Sequence, residues 1–98
     1  MKFSGRRRNA ALGFPNLSRS FDEKRNRVCF WGYDSVIEIS FFVETSTLRV
    51  LFPQMNGGEA GILQAFDSAR ERIQQVAQKL YLTSRDASCT FTLAEADF

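Results

Sequence analysis

The chain contains no histidine among its 98 residues. That removes the commonest general base, the Ser-His-Asp and Cys-His constellations, and most catalytic zinc sites. Cysteine is nearly absent too: Cys29 and Cys89 stand alone, with no CxxC spacing to hold zinc or run thiol exchange. They read as free, buried thiols of a reducing cytoplasm. No run approaches the roughly 18 apolar residues of a membrane span. No signal peptide is visible either, because the polar stretch NAALGFPNLS follows Arg6-Arg7-Arg8 where an apolar region would be needed. Only two prolines interrupt the chain.

Phenylalanine, by contrast, is abundant, with ten copies. Hydrophobic residues make up 44%, ordinary for a globular protein and enough for one core. Charge is uneven. Residues 1–27 carry eight basic and two acidic side chains, a balance of +6; residues 28–98 carry five and nine, a balance of −4. A basic end on an acidic body can attract an anionic partner, or the acidic part of the same or a second copy.

Residues 1–12, with Arg6, Arg7 and Arg8, read as a flexible basic tail, and residues 13–98 as a single domain. Pro15-Asn16 marks a turn, and 17–21 suits a short strand. DEKRN at 22–26 is a polar connection. From Arg27 to Tyr33 the chain alternates, with Cys29, Trp31 and Tyr33 on one side and Val28, Phe30 and Gly32 on the other. Asp34-Ser35 supplies turn chemistry. Ile37, Ile39, Phe41 and Val43 then form an apolar face opposite Val36, Glu38, Ser40 and Phe42. Thr45-Ser46-Thr47 and Pro53 bracket a short helix over about 46–52. After the PQMNGG loop, Asn56 and Glu59 resemble a capping box. Ile62, Phe66, Ala69, Ile73, Val76 and Leu80 make one stripe of a long helix over about 59–81. Cys89, Phe91 and Leu93 alternate with Thr90 and Thr92 in a last strand. The order is β-β-β-α-α-β, an α+β fold in which an antiparallel sheet has one face covered by both helices.

Catalysis finds little to work with. Asp67 and Glu71 lie one helical turn apart, but a solvated helix face accounts for them. Asn56-Gly57-Gly58 lacks the Gly-rich phosphate-binding patterns. Binding is the better expectation. If the Ile37 face is buried, the opposite face presents Trp31, Tyr33 and Phe42, with Arg19, Lys24, Arg25 and Arg27 nearby. Protein association or a homodimer would use the aromatics. Nucleic acid is the first alternative, with bases stacked on the aromatics and phosphates held by these cations and by Arg6, Arg7 and Arg8; Glu38 argues against it. A small-ligand sensor with a pocket between sheet and helix is the second. No cofactor and no membrane partner is expected.

FPNLSRSFDEKRNRVCFWGYD, EISFFVE, EAGILQAFDSARERIQQVAQKLY and the terminal ADF together resemble the bacterial family catalogued as domain of unknown function 1488. The resemblance spans about Leu12 to Phe98. It implies a small single-domain fold and carries no activity with it. Relatives typically place an Arg where this chain has Cys29, and often read KVYxRGRxGSY where it has KLYLTSRDASC. The departures fall at Cys29 and between Thr83 and Cys89, so no shared role carries over to that last turn.

Overall fold

The structure, a computed structural model, describes residues 12–84 and 89–98. Three strands come first: β1 (Arg19–Asp22), β2 (Arg27–Asp34) and β3 (Ile37–Glu44). Three helices follow: α1 (Thr45–Leu51), α2 (Glu59–Ser68) and α3 (Arg70–Thr83). Strand β4 (Thr90–Leu93) and a single 3-10 turn (Glu95–Asp97) end the chain. The sheet order is β1-β2-β3-β4. The long β2–β3 hairpin is antiparallel from Arg27↔Glu44 to Asp34↔Ile37. Its tight turn is closed by Ser35 at φ 60, a left-handed conformation that short polar residues tolerate.

The helix-facing side of the sheet holds the core. Val28 and Phe30 from β2, Ile39, Phe41 and Val43 from β3, and Phe91 and Leu93 from β4 are buried there with Leu48, Ile62, Phe66, Ile73 and Tyr81 from the helices. Their rings form a chain of contacts: Phe30 stacks on Phe41 at 5.3 Å, Phe41 on Phe91 at 5.7 Å, and Tyr81 meets Phe91 edge-on at 5.8 Å. Such offset and edge-on pairs add to the burial energy of each ring.

Several expectations need correcting. The sheet is mixed, because β4 runs parallel to β3 from Ser40↔Thr90 to Val43↔Leu93. A parallel return requires a crossover connection, and the helices between β3 and β4 provide it. The long helix is two helices. Ala69, at φ −103 and ψ 9, leaves helical geometry between them. Beyond this break the buried stripe becomes Ile73, Ala77 and Tyr81, and Val76 and Leu80 fall to its partly buried margin. The proposed caps are not formed: Glu44 precedes α1 and Gly58 precedes α2, neither with a side-chain cap bond. Cys89 is exposed rather than core-facing. Asp34 is no free turn residue; it is buried, and the Tyr81 hydroxyl donates to its Oδ2 at 2.5 Å.

Leu12 belongs to the domain, not to a tail. It is buried in the core, and the next residue, Gly13, exchanges two backbone hydrogen bonds with Tyr33 at 2.9 and 2.8 Å. Phe14 then reaches the aromatic cluster at 6.1 Å from Phe30 and 6.0 Å from Phe41. Gly32 makes room for it: a Cβ there would stand 2.8 Å from Phe14 Cε1. The basic stretch with Arg6, Arg7 and Arg8, and most of the turn before β4, lie outside the described residues.

Candidate interaction surface

Because strand side chains alternate, the register fixes what lies on the face away from the helices. Four levels run across it. Tyr33 and Glu38 share the first, Trp31, Ser40 and Thr90 the second, Ser20, Cys29, Phe42 and Thr92 the third, and Asp22, Arg27 and Glu44 the fourth. Ser20, Glu38, Glu44, Thr90 and Thr92 are exposed, so this face meets solvent. Trp31, Tyr33, Cys29 and Phe42 are half-buried among their neighbours.

Of the residues picked out from sequence, Trp31, Tyr33, Phe42 and Arg27 are brought together here. Lys24 and Arg25 sit in the β1–β2 turn beyond the fourth level. Arg19 does not join them. It pairs with Phe30, which faces the core, so its side chain is on the helix side. There it makes a bidentate bond to Asp67, with Nε to Oδ1 and Nη2 to Oδ2 both 2.9 Å. Arg70 Nη2 donates to the same carboxylate at 2.8 Å. The Arg19 fork holds the Asp67 carboxyl below its usual range, and Arg70 assists. Asp67 is therefore a clasp between β1 and α2.

The polar groups on the open face are partly matched. The Tyr33 hydroxyl donates to Glu38 Oε2 at 2.9 Å, and this bond raises the phenol above its ordinary pKa. The Arg27 guanidinium lies 3.7 Å from the centre of the Phe42 ring, a favourable cation–ring distance. Asp22 Oδ2 stands 3.5 Å from both Arg25 Nη1 and Arg27 Nε. Asp22 Oδ1 accepts the Arg25 backbone N–H at 3.2 Å, the main reason this carboxyl is held low. At 3.5 Å the contact to Arg27 is Coulombic only, and the buried Nε of Arg27 has no hydrogen bond. Burial pushes the Cys29 thiol up, so it is a poor nucleophile. Sequence reasoning missed the parts of Asp22 and Glu44. Their only signal was the register that sets both beside Arg27.

A cleft of about 420 Å³ opens elsewhere, between the loop after α1 and helix α2. Phe52, Met55, Asn56, Gln64 and Ser68 line it, and no strand residue does. It is bounded by a loop and a helix, unlike the sheet–helix pocket of the sensor alternative. Among the described residues no group of His, Cys, Asp and Glu is disposed to hold a metal ion, and no helix is long and apolar enough to cross a membrane.

No curated protein matches the chain. A crystal structure of a protein of unknown function from the DUF1488 family of Shewanella loihica PV-4 is similar in fold, with a TM-score of 0.76 at 17% identity. The match covers 88% of this chain and 94% of that one. The family model described as "Protein of unknown function (DUF1488)" matches residues 12–93. It begins at the residue where the core begins and ends with the last residue of β4, and on this match the chain belongs to the DUF1488 family.

Proposed function

We propose that this protein is a non-enzymatic interaction domain of the cytoplasm that binds another protein chain through the open face of its sheet. The observation that carries this reading is Trp31 and Phe42 at the middle, with Tyr33 at one end, of a solvent-facing sheet whose other side is a complete core. Aromatic side chains, tryptophan and tyrosine above all, are what protein interfaces enrich at their buried centres. The lack of histidine supports a role without acid–base chemistry. The face offers phosphate little purchase. Asp22, Glu38 and Glu44 share it with Arg27, and Arg25 is engaged by Asp22. That favours protein over nucleic acid.

The test is site-specific photo-crosslinking in cells. A benzophenone amino acid replaces Thr92, exposed on the open face, or Gln75, exposed on α3. Protein adducts from position 92 and few from position 75 are expected. Equal yields from both positions would sink the reading. Nucleic acid as the main adduct at position 92 would replace it with the alternative.

A further inference from the structure

The β2–β3 hairpin pairs unlike residues at every level of its open face. Tyr33 stands beside Glu38, Trp31 beside Ser40, Cys29 beside Phe42 and Arg27 beside Glu44. Each level thus holds a phenol with a carboxylate, a large side chain with a small one, or a cation with an anion. Strand pairing of this kind is self-complementary in a second sense. Lay two copies face to face about a twofold axis parallel to the strands, midway between β2 and β3. The axis keeps every residue at its own level and exchanges left for right. β2 of one copy then lies over β3 of the other.

Resting on the reading that the open face binds protein, we propose that its occupant is a second copy of this chain in this twofold arrangement. Arg27 meets Glu44 of the second copy, and Tyr33 meets Glu38 of the second copy. Trp31 enters the space above Ser40 of the second copy, and Phe42 covers Cys29. At the flanks Ser20 lies over Thr92, small on small. The other in-plane twofold, perpendicular to the strands, would set Glu38 over Glu44, like charge on like. Charge therefore selects one axis. The aligned mode also matches how twisted sheets pack, about 30° apart at ~10 Å with interdigitating side chains. Arg27 is the group with most to gain: its contact to Asp22 is a loose 3.5 Å, which leaves the exposed part of its guanidinium open to a closer carboxylate. The interface is isologous, so each of these contacts occurs twice.

The face is small. Strands of this length and number project roughly 450 Å², against about 800 Å² per partner in a standard interface. The dimer should accordingly be weak, with a dissociation constant on the order of 10 μM.

Sedimentation velocity on the full chain, from about 1 to 300 μM, reads this directly. Wild type should pass from monomer to dimer over that range, and Ser40→Lys, which fills the space above Ser40 with a charge, should remain monomeric with an unchanged melting temperature. Arg27→Glu and Glu44→Arg should each weaken self-association about tenfold or more. Mixed in equal amounts the two should form a heterodimer, since the mixture restores opposite charges on both sides of the axis. A wild type that stays monomeric to 300 μM would overturn the second-copy proposal, as would a dimer indifferent to Ser40→Lys and to the charge mixture. The crosslinker at Thr92 separates failure of the dimer from failure of the open-face reading. Adducts only to other proteins leave the open-face reading standing and remove the dimer; no adduct removes both.

Discussion

Phe41 and Phe42 are neighbours in sequence and opposites in environment, which makes them a direct test of the strand's orientation. Phe41 has no exposed surface, and its ring is flanked by Phe14 at 6.0 Å, Phe30 at 5.3 Å and Phe91 at 5.7 Å. Replacing it by alanine loses a transfer free energy of about 2 kcal/mol. It also leaves a cavity of up to about 100 Å³ in a sheet whose strands cannot close on it, which adds about 2 kcal/mol. The total, about 4 kcal/mol, is a large share of the stability of an ordinary domain. At this chain length it lowers the melting temperature by roughly 15–30 °C. Phe42→Ala removes a half-buried ring and its contact with the Arg27 guanidinium, for a loss nearer about 1 kcal/mol. Urea unfolding followed by circular dichroism measures both, provided the slope is unchanged. Equal losses at the two positions, or a Phe41→Ala loss below about 1 kcal/mol, would mean that the faces of β3 are assigned wrongly.

Gly32→Ala should destabilise the fold by about 1–3 kcal/mol, because the added methyl would press on the Phe14 ring. Combining it with Phe14→Ala should cost less than the sum of the two, and strict additivity in the double-mutant cycle would refute the steric account. The Asp67 clasp predicts a pH dependence. Its carboxyl titrates below the unfolded value of 3.8, so its stabilisation is present above that pH and is lost as pH falls through the lower, folded value. The group is partly exposed, so the effect is at most about 1 kcal/mol. Asp67→Asn should be less stable than wild type at pH 7 and indistinguishable from it near pH 2; a difference that persists in acid would refute the clasp.

What could be read from sequence was whatever depends on local alternation. The β2–β3 hairpin and both of its faces follow from aromatic and β-branched residues at every second position, and the placement of Trp31, Tyr33 and Phe42 on one face follows with them. What could not be read depends on distant parts of the chain. Ala69 is a good helix former, with no proline or glycine beside it to announce the break. Without that break the shift of the buried stripe to Tyr81, and so the Tyr81–Asp34 bond, stays hidden. The direction of β4 depends on how the helices turn back over the sheet, which a periodicity does not encode. Arg19 was misplaced because the register of a four-residue strand is set by its partner, not by its own pattern. Leu12 was missed because the pairing beside it is an isolated bridge at Gly13, with no repeat to detect.

The parallel seam between β3 and β4 sets the order in which the molecule can assemble. A hairpin joined by a two-residue turn closes in microseconds, so β2 and β3 can meet early. Strand β4 begins 46 positions after Glu44, since it starts at Thr90, and it finds its place only after the intervening helices have folded back. Pairing at such separation is slow because the loop must be closed before the contacts reward it. Until then the outer edge of β3 is bare, with Phe41 and Val43 uncovered on one side. A chain cut short by its last nine residues would keep nearly all of its helical content and lose the strand that seals this edge. Such a fragment should polymerise through β3 rather than simply unfold.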